Sequence, residues 1–168
     1  YTFYDVAEFL KLAGDEFKRI GLLRGDRVAI VSPHSPFAVF VGMALAYYGV
    51  TIALIDASLP YEEIAHLISY SDVKAIFTTT ALHKNLNQRI DEKLPCFSLD
   101  YGLRISSFNT AHEKCVKLGV SEDLDEDVIA ILYSSGTTGQ MKGVMVTYES
   151  VLKAHEVFVR LSGLEDFM

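Results

Sequence analysis

The segment VIAILYSSGTTGQMKGVMV, residues 128–146, decides the fold class of this chain. It begins with an unbroken apolar run, continues into a loop of Gly, Ser and Thr, and ends in a second apolar run after Lys142. An unbroken apolar run is typical of a strand that is buried on both faces of a sheet. The loop at residues 133–144 therefore follows a buried strand, and open parallel sheets bind their ligands at that edge.

Strands and helices alternate through the rest of the chain. Thr2 and Asp5 match a capping box before the first helix, and Ser35 followed by Pro36 is typical of the start of the second. This alternation predicts an α/β fold in which helices cover both faces of a mainly parallel sheet, giving three αβα layers. Apolar runs predict strands at 27–32, 50–55, 74–79, 95–99, 128–133 and 143–146, and helical spacing predicts helices at 6–20, 36–48, 60–70, 81–93, 106–117 and from 148 onward.

Length and composition favour a single soluble domain over residues 1–168. Half of the residues are apolar and 22% are charged, which is a globular composition. An acidic connector, SEDLDED, occupies about residues 121–127, before the last two strands.

An uncharged stretch at residues 28–55 is long enough to span a bilayer. Two prolines and Gly49 interrupt it, so we expect a buried strand, a buried helix and a second buried strand instead of a transmembrane segment. The helix at 36–48 is apolar on nearly every side, and we expect it to be buried on most of them.

Charge and sulfur content exclude several classes of protein. Fifteen basic and 22 acidic residues give a net charge of −7, which argues against a nucleic-acid surface but allows one positive loop. The five histidines and the two cysteines, Cys96 and Cys115, show no metal-binding spacing. We expect both cysteines in the core of a protein from a reducing compartment, the cytoplasm. The first residues, YTFYDVAEFLK, have the pattern of a capped helix and not of a signal peptide.

The chemistry of residues 133–144 suits an anion. Glycines let several backbone N–H groups turn to one side, short hydroxyl side chains reach phosphate oxygens, and Lys142 adds a flexible positive charge. The segment is not a Walker A loop, because Lys142 is followed by Gly143 and a strand-forming run instead of Ser or Thr and a helix. Residue types alone leave two interpretations open, a phosphate-binding loop and a plain hairpin connector.

Residues 133–144 resemble the signature of the adenylate-forming enzymes, Tyr-Thr/Ser-Ser-Gly-Thr/Ser-Thr-Gly-x-Pro-Lys-Gly-Val, in register. This superfamily includes acyl- and aryl-CoA synthetases, the adenylation domains of peptide synthetases, and firefly luciferase. The segments GDRVAI (25–30), YYGVTIALIDASLP (47–60) and TYESV (147–151) also resemble the family in order and spacing. Three residues depart from its usual pattern. Met141 stands in place of Pro, which should loosen the loop before Lys142. Leu54 also stands in place of Pro, which should leave a more regular strand. Tyr148 stands where many members have His.

The resemblance implies a two-step reaction. A carboxylate attacks the α-phosphorus of Mg-ATP, pyrophosphate leaves, and the acyl group then passes from AMP to a thiol, commonly coenzyme A. Lys142 would act catalytically by offsetting charge on the leaving pyrophosphate, and with Thr137 and Thr138 it would contact the phosphates. The residues that would shape the loop are Ser134, Ser135, Gly136, Gly139 and Gly143. No residue of this chain is expected to bind the metal directly.

The resemblance also implies that the chain is the N-terminal subdomain of a longer enzyme and is inactive alone. Its partners would be a small-molecule carboxylate, ATP, Mg²⁺, CoA and the C-terminal remainder of its own protein. We expect an acyl-CoA ligase of the fatty-acid type. Two alternatives are an adenylation domain that loads a carrier protein and a non-catalytic nucleotide-binding or scaffold module. A phosphotransferase is disfavoured because no catalytic Asp/Asn set can be assigned near the loop.

Overall fold

The computed structural model describes residues 2–100, 106–107, 128–135 and 141–162. The acidic connector at 121–127 lies outside these ranges, as does Cys115. The helices are α1 (Phe3–Arg19), α2 (Pro36–Tyr47), α3 (Tyr61–Tyr70), α4 (Thr80–Leu86) and α5 (Tyr148–Ser162). The strands are β1 (Arg27–Val31), β2 (Thr51–Ile55), β3 (Ala75–Thr78), β4 (Cys96–Ser98), β5 (Ser106–Ser107), β6 (Val128–Ser135) and β7 (Met141–Thr147).

These strands form one mainly parallel sheet in the order β5-β4-β3-β1-β2-β6-β7. The five central strands, β4-β3-β1-β2-β6, pair parallel with one another. The edge strands β5 and β7 pair antiparallel with β4 and β6, respectively. The hydroxyl of Thr51 donates to the carbonyl oxygen of Val128 at 2.6 Å, which ties the start of β6 to β2. The predicted α/β class and mainly parallel sheet are confirmed.

Two apolar clusters cover the two faces of the central strands. The first cluster joins α1 and α2 to one face, with Phe9, Phe17, Leu45 and Phe77 among its buried residues. The second joins α3 and α4 to the opposite face. Residues of β1 alternate between them: Val28 and Ile30 belong to the first cluster, and Ala29 and Val31 to the second. The predicted αβα layering therefore holds for the centre of the sheet.

The helix starts follow the predicted capping residues. The Thr2 hydroxyl accepts from the N–H of Asp5 at 3.3 Å, and the Asp5 carboxylate accepts from the N–H of Thr2 at 2.6 Å. Ser35 caps α2 by accepting from the N–H of Ala38 at 3.1 Å. Each side chain accepts from an N–H that has no partner within its helix, which is why these residue types begin helices.

Two predicted helices need correction. The helix predicted at 81–93 ends at Leu86, where asparagines compete with helical hydrogen bonding and the Arg89 guanidinium donates to the carbonyl oxygen of Asn85 at 2.8 Å. Its apolar stripe of Leu82, Leu86 and Ile90 still packs on the second cluster. The helix predicted at 106–117 is wrong at its first two residues, because residues 106–107 pair with β4 as strand β5, and the rest of that range lies outside the described residues.

Helix α2 is less enclosed than its composition suggested. Phe40, Val41, Ala44 and Leu45 are buried, but the opposite stripe is exposed among the described residues, with Val39 at 58%. The expectation of burial on most sides is therefore wrong for this part of the protein. An apolar helix gives no periodicity by which its buried stripe can be recognised.

We predict that Gly14→Ala in α1 destabilises the protein by about 1–3 kcal/mol, the usual range for overpacking. A Cβ at Gly14 would overlap the hydroxyl and ring of Tyr48, so this ring or the helices that it joins must shift. Gly42→Ala in α2 is the matched control, because its Cβ would meet side chains only at 3.8 Å. Urea unfolding measures both variants, and equal midpoints for the two would contradict this account of the α1–α2 contact.

We also predict that Cys96 resists alkylation in the native protein. The residue is buried, its thiol donates to the carbonyl oxygen of Leu94 at 3.4 Å, and burial raises the pKa of the thiol to about 11. The reactive thiolate is therefore scarce at pH 8. Iodoacetamide labelling followed by mass spectrometry should modify Cys96 only after denaturation, whereas rapid native labelling would show that the core opens here.

Candidate phosphate-binding site

The candidate site lies at the turn of an antiparallel hairpin made by β6 and β7. Tyr133 pairs with Gly143, Ser134 with Lys142, and Ser135 with Met141. Strand β6 belongs to the parallel sheet, so the hairpin carries the loop at the carboxyl edge of that sheet. The sequence left two interpretations open, a phosphate-binding loop and a plain hairpin connector. They are compatible, because the described ends of the loop are the two strands of a hairpin. Lys142 lies within strand β7 and does not open a helix, as the failed Walker A match predicted.

Side-chain alternation divides the residues at the base of the loop between the two faces of the hairpin. Tyr133 and Met141 are partly buried and pack against the second apolar cluster. Ser134 and Lys142 are exposed and directly opposite each other, so they share the other face. Directly paired residues of antiparallel strands have Cβ atoms about 5 Å apart. The side chains that carry a hydroxyl and an ammonium group therefore start from neighbouring positions on the exposed face.

Lys142 is available to an anion in the described part of the chain. Its side chain is exposed, and none of the ion pairs between described residues involves it. Residues 136–140 lie outside the described ranges, and with them the candidates Gly136, Thr137, Thr138 and Gly139. Ser135 is placed through its backbone pairing with Met141. Ser134, Lys142 and Gly143 are the candidates whose surroundings are defined.

Gly143 packs closely against Ile131 across the hairpin. A Cβ at Gly143 would lie 3.0 Å from Cγ2 of Ile131 and 3.7 Å from Cε1 of Tyr133. A side chain there would have to displace its neighbours, so close packing across the hairpin favours glycine. The resemblance had suggested only that Gly143 shapes the loop.

Ser71 is a residue at the site that sequence reasoning missed. Its hydroxyl is hydrogen-bonded to the Tyr133 hydroxyl and to the carbonyl oxygen of Leu67 at 2.6 Å, although Ser71 and Tyr133 are 62 positions apart. Burial raises the pKa of the Tyr133 phenol above its ordinary value, so the group stays protonated. A serine at the end of a helix carries no signal in the sequence that would reveal a partner so far along the chain.

The three departures from the family pattern have defined places. Met141 is held in β7 by its pairing with Ser135 and by packing on the second cluster, so no loosening is visible at this residue itself. Leu54 lies within β2, in register with both β1 and β6, as expected for a more regular strand. Tyr148 begins α5, whose predicted cap is confirmed, because the Thr147 hydroxyl accepts from the N–H of Ser150 at 3.2 Å.

An apolar cleft of about 970 Å³ lies beside the hairpin, at the carboxyl ends of β1 and β2. Its lining includes Val39 and Met43 from the open stripe of α2, and Leu54. Asp56 also lines it, and the N–H of Ser58 donates to that carboxylate at 2.8 Å, which lowers its pKa below the ordinary value. An ionised carboxylate repels phosphate, so this cleft suits an apolar group and the hairpin suits the anion.

Comparison with known proteins identifies the class. Residues 1–165 match the family of AMP-binding enzymes, and the chain therefore belongs to that family. It is 26% identical over 163 residues to 4-coumarate:CoA ligase 1 of Petunia hybrida, covering 90% of this chain and 28% of that protein. It is 29% identical over 162 residues to 4-coumarate–CoA ligase-like 2 of Arabidopsis thaliana, covering 87% of this chain and 28% of that protein. The chain thus spans less than a third of the length of these curated relatives.

Solved structures share the fold. The O-succinylbenzoate coenzyme A synthetase MenE of Bacillus subtilis, in complex with ATP and magnesium ion, is 18% identical with a TM-score of 0.76, covering 97% of this chain and 41% of that one. The N-terminal domain of FACL13 from Mycobacterium tuberculosis is 24% identical with a TM-score of 0.71, covering 90% of this chain and 38% of that one. The nonribosomal peptide synthetase FmoA3 is 18% identical with a TM-score of 0.75, covering 96% of this chain and 16% of that one. The described residues therefore have the fold of the N-terminal part of adenylate-forming enzymes.

The described ranges also bear on membrane-spanning and metal-binding features. No helix in them combines the length and the apolar character needed to cross a bilayer. In the same part of the chain, no group of three or more His, Cys, Asp or Glu side chains could hold a metal ion.

Proposed function

We propose that residues 1–168 form the N-terminal subdomain of a longer ATP-dependent carboxylate–CoA ligase. The observation that carries the proposal is the hairpin of an AMP-binding family member, with Ser134 and Lys142 adjacent on its exposed face. Phosphate oxygens accept hydrogen bonds from hydroxyl, ammonium and backbone N–H groups, and this loop offers all three kinds. The buried Cys96 thiol supports a reducing compartment, and we propose the cytoplasm.

In this proposal the loop holds the β- and γ-phosphates of ATP while a carboxylate attacks the α-phosphorus. Lys142, Thr137 and Thr138 contact the phosphates. Ser134 and Ser135 line the loop. The residues Gly136, Gly139 and Gly143 let the loop backbone approach the phosphates. Mg²⁺ bound to the nucleotide would also offset phosphate charge.

The role of Lys142 follows from where charge develops in the reaction. Negative charge accumulates on the departing pyrophosphate, and a positive group already in place stabilises that charge without reorganisation. Lys142 lies opposite Ser134 on a paired strand, so its backbone is fixed while its side chain is exposed. An ammonium on a flexible chain can remain with the phosphates as they leave.

The acyl substrate is the part of the proposal that depends most on analogy. Sequence reasoning favoured a fatty acid, whereas the curated relatives cited above are named 4-coumarate:CoA ligases. Both acids have an apolar body and one carboxylate, so both should be tested. A ligase is favoured over a carrier-loading domain, because the curated relatives cited above are named CoA ligases, whereas the likeness to FmoA3 concerns the fold alone.

The proposal is tested by carboxylate-dependent exchange of labelled pyrophosphate into ATP, with 4-coumarate and a long-chain fatty acid as separate substrates. We predict exchange by the full-length protein with one of them, and no exchange by residues 1–168 alone, because the chain spans only 28% of its relatives. Absence of exchange by the full-length protein with a panel of carboxylates would contradict the proposed function. Exchange by the 168-residue chain would contradict its assignment as an incomplete subdomain.

We further predict that Lys142→Ala lowers the exchange rate of the full-length protein at least about tenfold, the scale expected for one transition-state charge partner. Lys11→Ala is the matched control, because it removes an exposed lysine from α1 and should leave the rate unchanged. Equal rates for the two variants would show that Lys142 does not contact the reacting phosphates.

A further inference from the structure

We propose that Ser71 and Tyr133 are positioning residues for the phosphate loop. The hydrogen bond between their hydroxyls holds the end of β6 against the end of α3, and this contact sets the direction in which Lys142 projects. The inference rests on the proposed function and adds to it two residues that do not touch the nucleotide.

Proton positions follow from the partners of Ser71. A serine hydroxyl has one proton, and Ser71 donates it to the carbonyl oxygen of Leu67 at 2.6 Å. Its oxygen therefore accepts from Tyr133, whose phenol is the donor. The raised pKa of Tyr133 keeps this donor protonated. Tyr133 then donates to Ser71, and Ser71 donates to Leu67. These fixed donor directions constrain how the two side chains are oriented.

The anchor at the end of α3 is itself fixed. Ser71 is only 3% exposed, and its N–H donates to the carbonyl oxygen of Leu67 at 3.0 Å. Asp72 follows with a φ of 50°, and its carboxylate accepts from the Arg27 guanidinium at 2.7 Å. The chain turns sharply at this point and is tied back to the first residue of β1. Tyr133 is therefore bound to a fixed part of the fold.

The hairpin transmits that position to the opposite face. Tyr133 pairs with Gly143, and its ring lies close to where a side chain of Gly143 would be. The next pair in the ladder is Ser134 with Lys142. Adjacent residues of a strand point to opposite faces, so a rotation of Tyr133 and its backbone changes the direction of the lysine on the other side.

The test uses the full-length protein, four variants of the pair and two control variants. Tyr133→Phe and Ser71→Ala each remove one hydroxyl of the pair, and Ser71→Thr keeps the hydroxyl. The double variant Ser71→Ala/Tyr133→Phe measures the coupling between them. Tyr70→Phe and Ser69→Ala are matched controls, because they remove exposed hydroxyls from the same helix. Pyrophosphate exchange gives kcat and the KM for ATP, and hydrogen exchange reports on the amides of β7.

We expect Tyr133→Phe and Ser71→Ala to raise the KM for ATP about fivefold, the effect of one lost hydrogen bond, and to speed hydrogen exchange across β7. The double variant should be no worse than either single variant, and Ser71→Thr should restore the KM. The two controls should behave as the wild type does.

Three results would overturn the inference. The first is an unchanged KM in both single variants of an active enzyme. The second is a KM that rises equally in the controls. The third is a lower melting temperature without a change in KM, which would make the contact purely structural. Absence of exchange by the wild type is a different result, because it contradicts the proposed function itself.

Discussion

Side-chain alternation along the β6–β7 hairpin is the constraint on which the candidate site depends. One face of the hairpin must pack on the second apolar cluster, and Tyr133 and Met141 do so. Because neighbouring residues of a strand point in opposite directions, Ser134 and Lys142 must then lie on the other face. A shift of register by one residue would bury the lysine and expose the tyrosine, at a large cost in free energy. The position of the positive charge is thus decided by apolar packing behind it.

This arrangement differs physically from a phosphate loop that opens a helix. There, the helix N-terminus supplies unpaired N–H groups and a partial positive charge. Here the described strand after the loop is antiparallel to the strand before it, so in our proposal phosphate binding depends on the loop amides, the hydroxyls and Lys142. Strand β7 lies at the edge of the sheet and pairs only with β6 among the described strands. Among the described strands β7 is therefore held from one side, which gives the contact between Tyr133 and Ser71 its importance in our proposal.

Local signals in the sequence were sufficient for much of the fold. The capping box of Thr2 and Asp5, the Ser35–Pro36 start and the apolar runs of the strands each act over a few residues, and each was recognised. The end of α4 involves local hydrogen bonds at Asn85 that the apolar stripe does not reveal. The pairing of residues 106–107 depends on β4, so there a contact between separate strands overrode local propensity. At the site, the family signature pointed to Ser134, Lys142 and Gly143. It could not point to Ser71, because a hydrogen bond across 62 positions leaves no periodic trace.

The central claim is that the hairpin, and not the neighbouring apolar cleft, receives the phosphates of ATP. A crystal structure of the full-length protein with Mg²⁺ and a non-hydrolysable ATP analogue tests it most directly. Our account predicts the Lys142 Nζ within about 3 Å of a β- or γ-phosphate oxygen, with the loop amides turned toward the same group. Phosphates bound in the cleft lined by Leu54 and Asp56, with Lys142 directed into solvent, would contradict it.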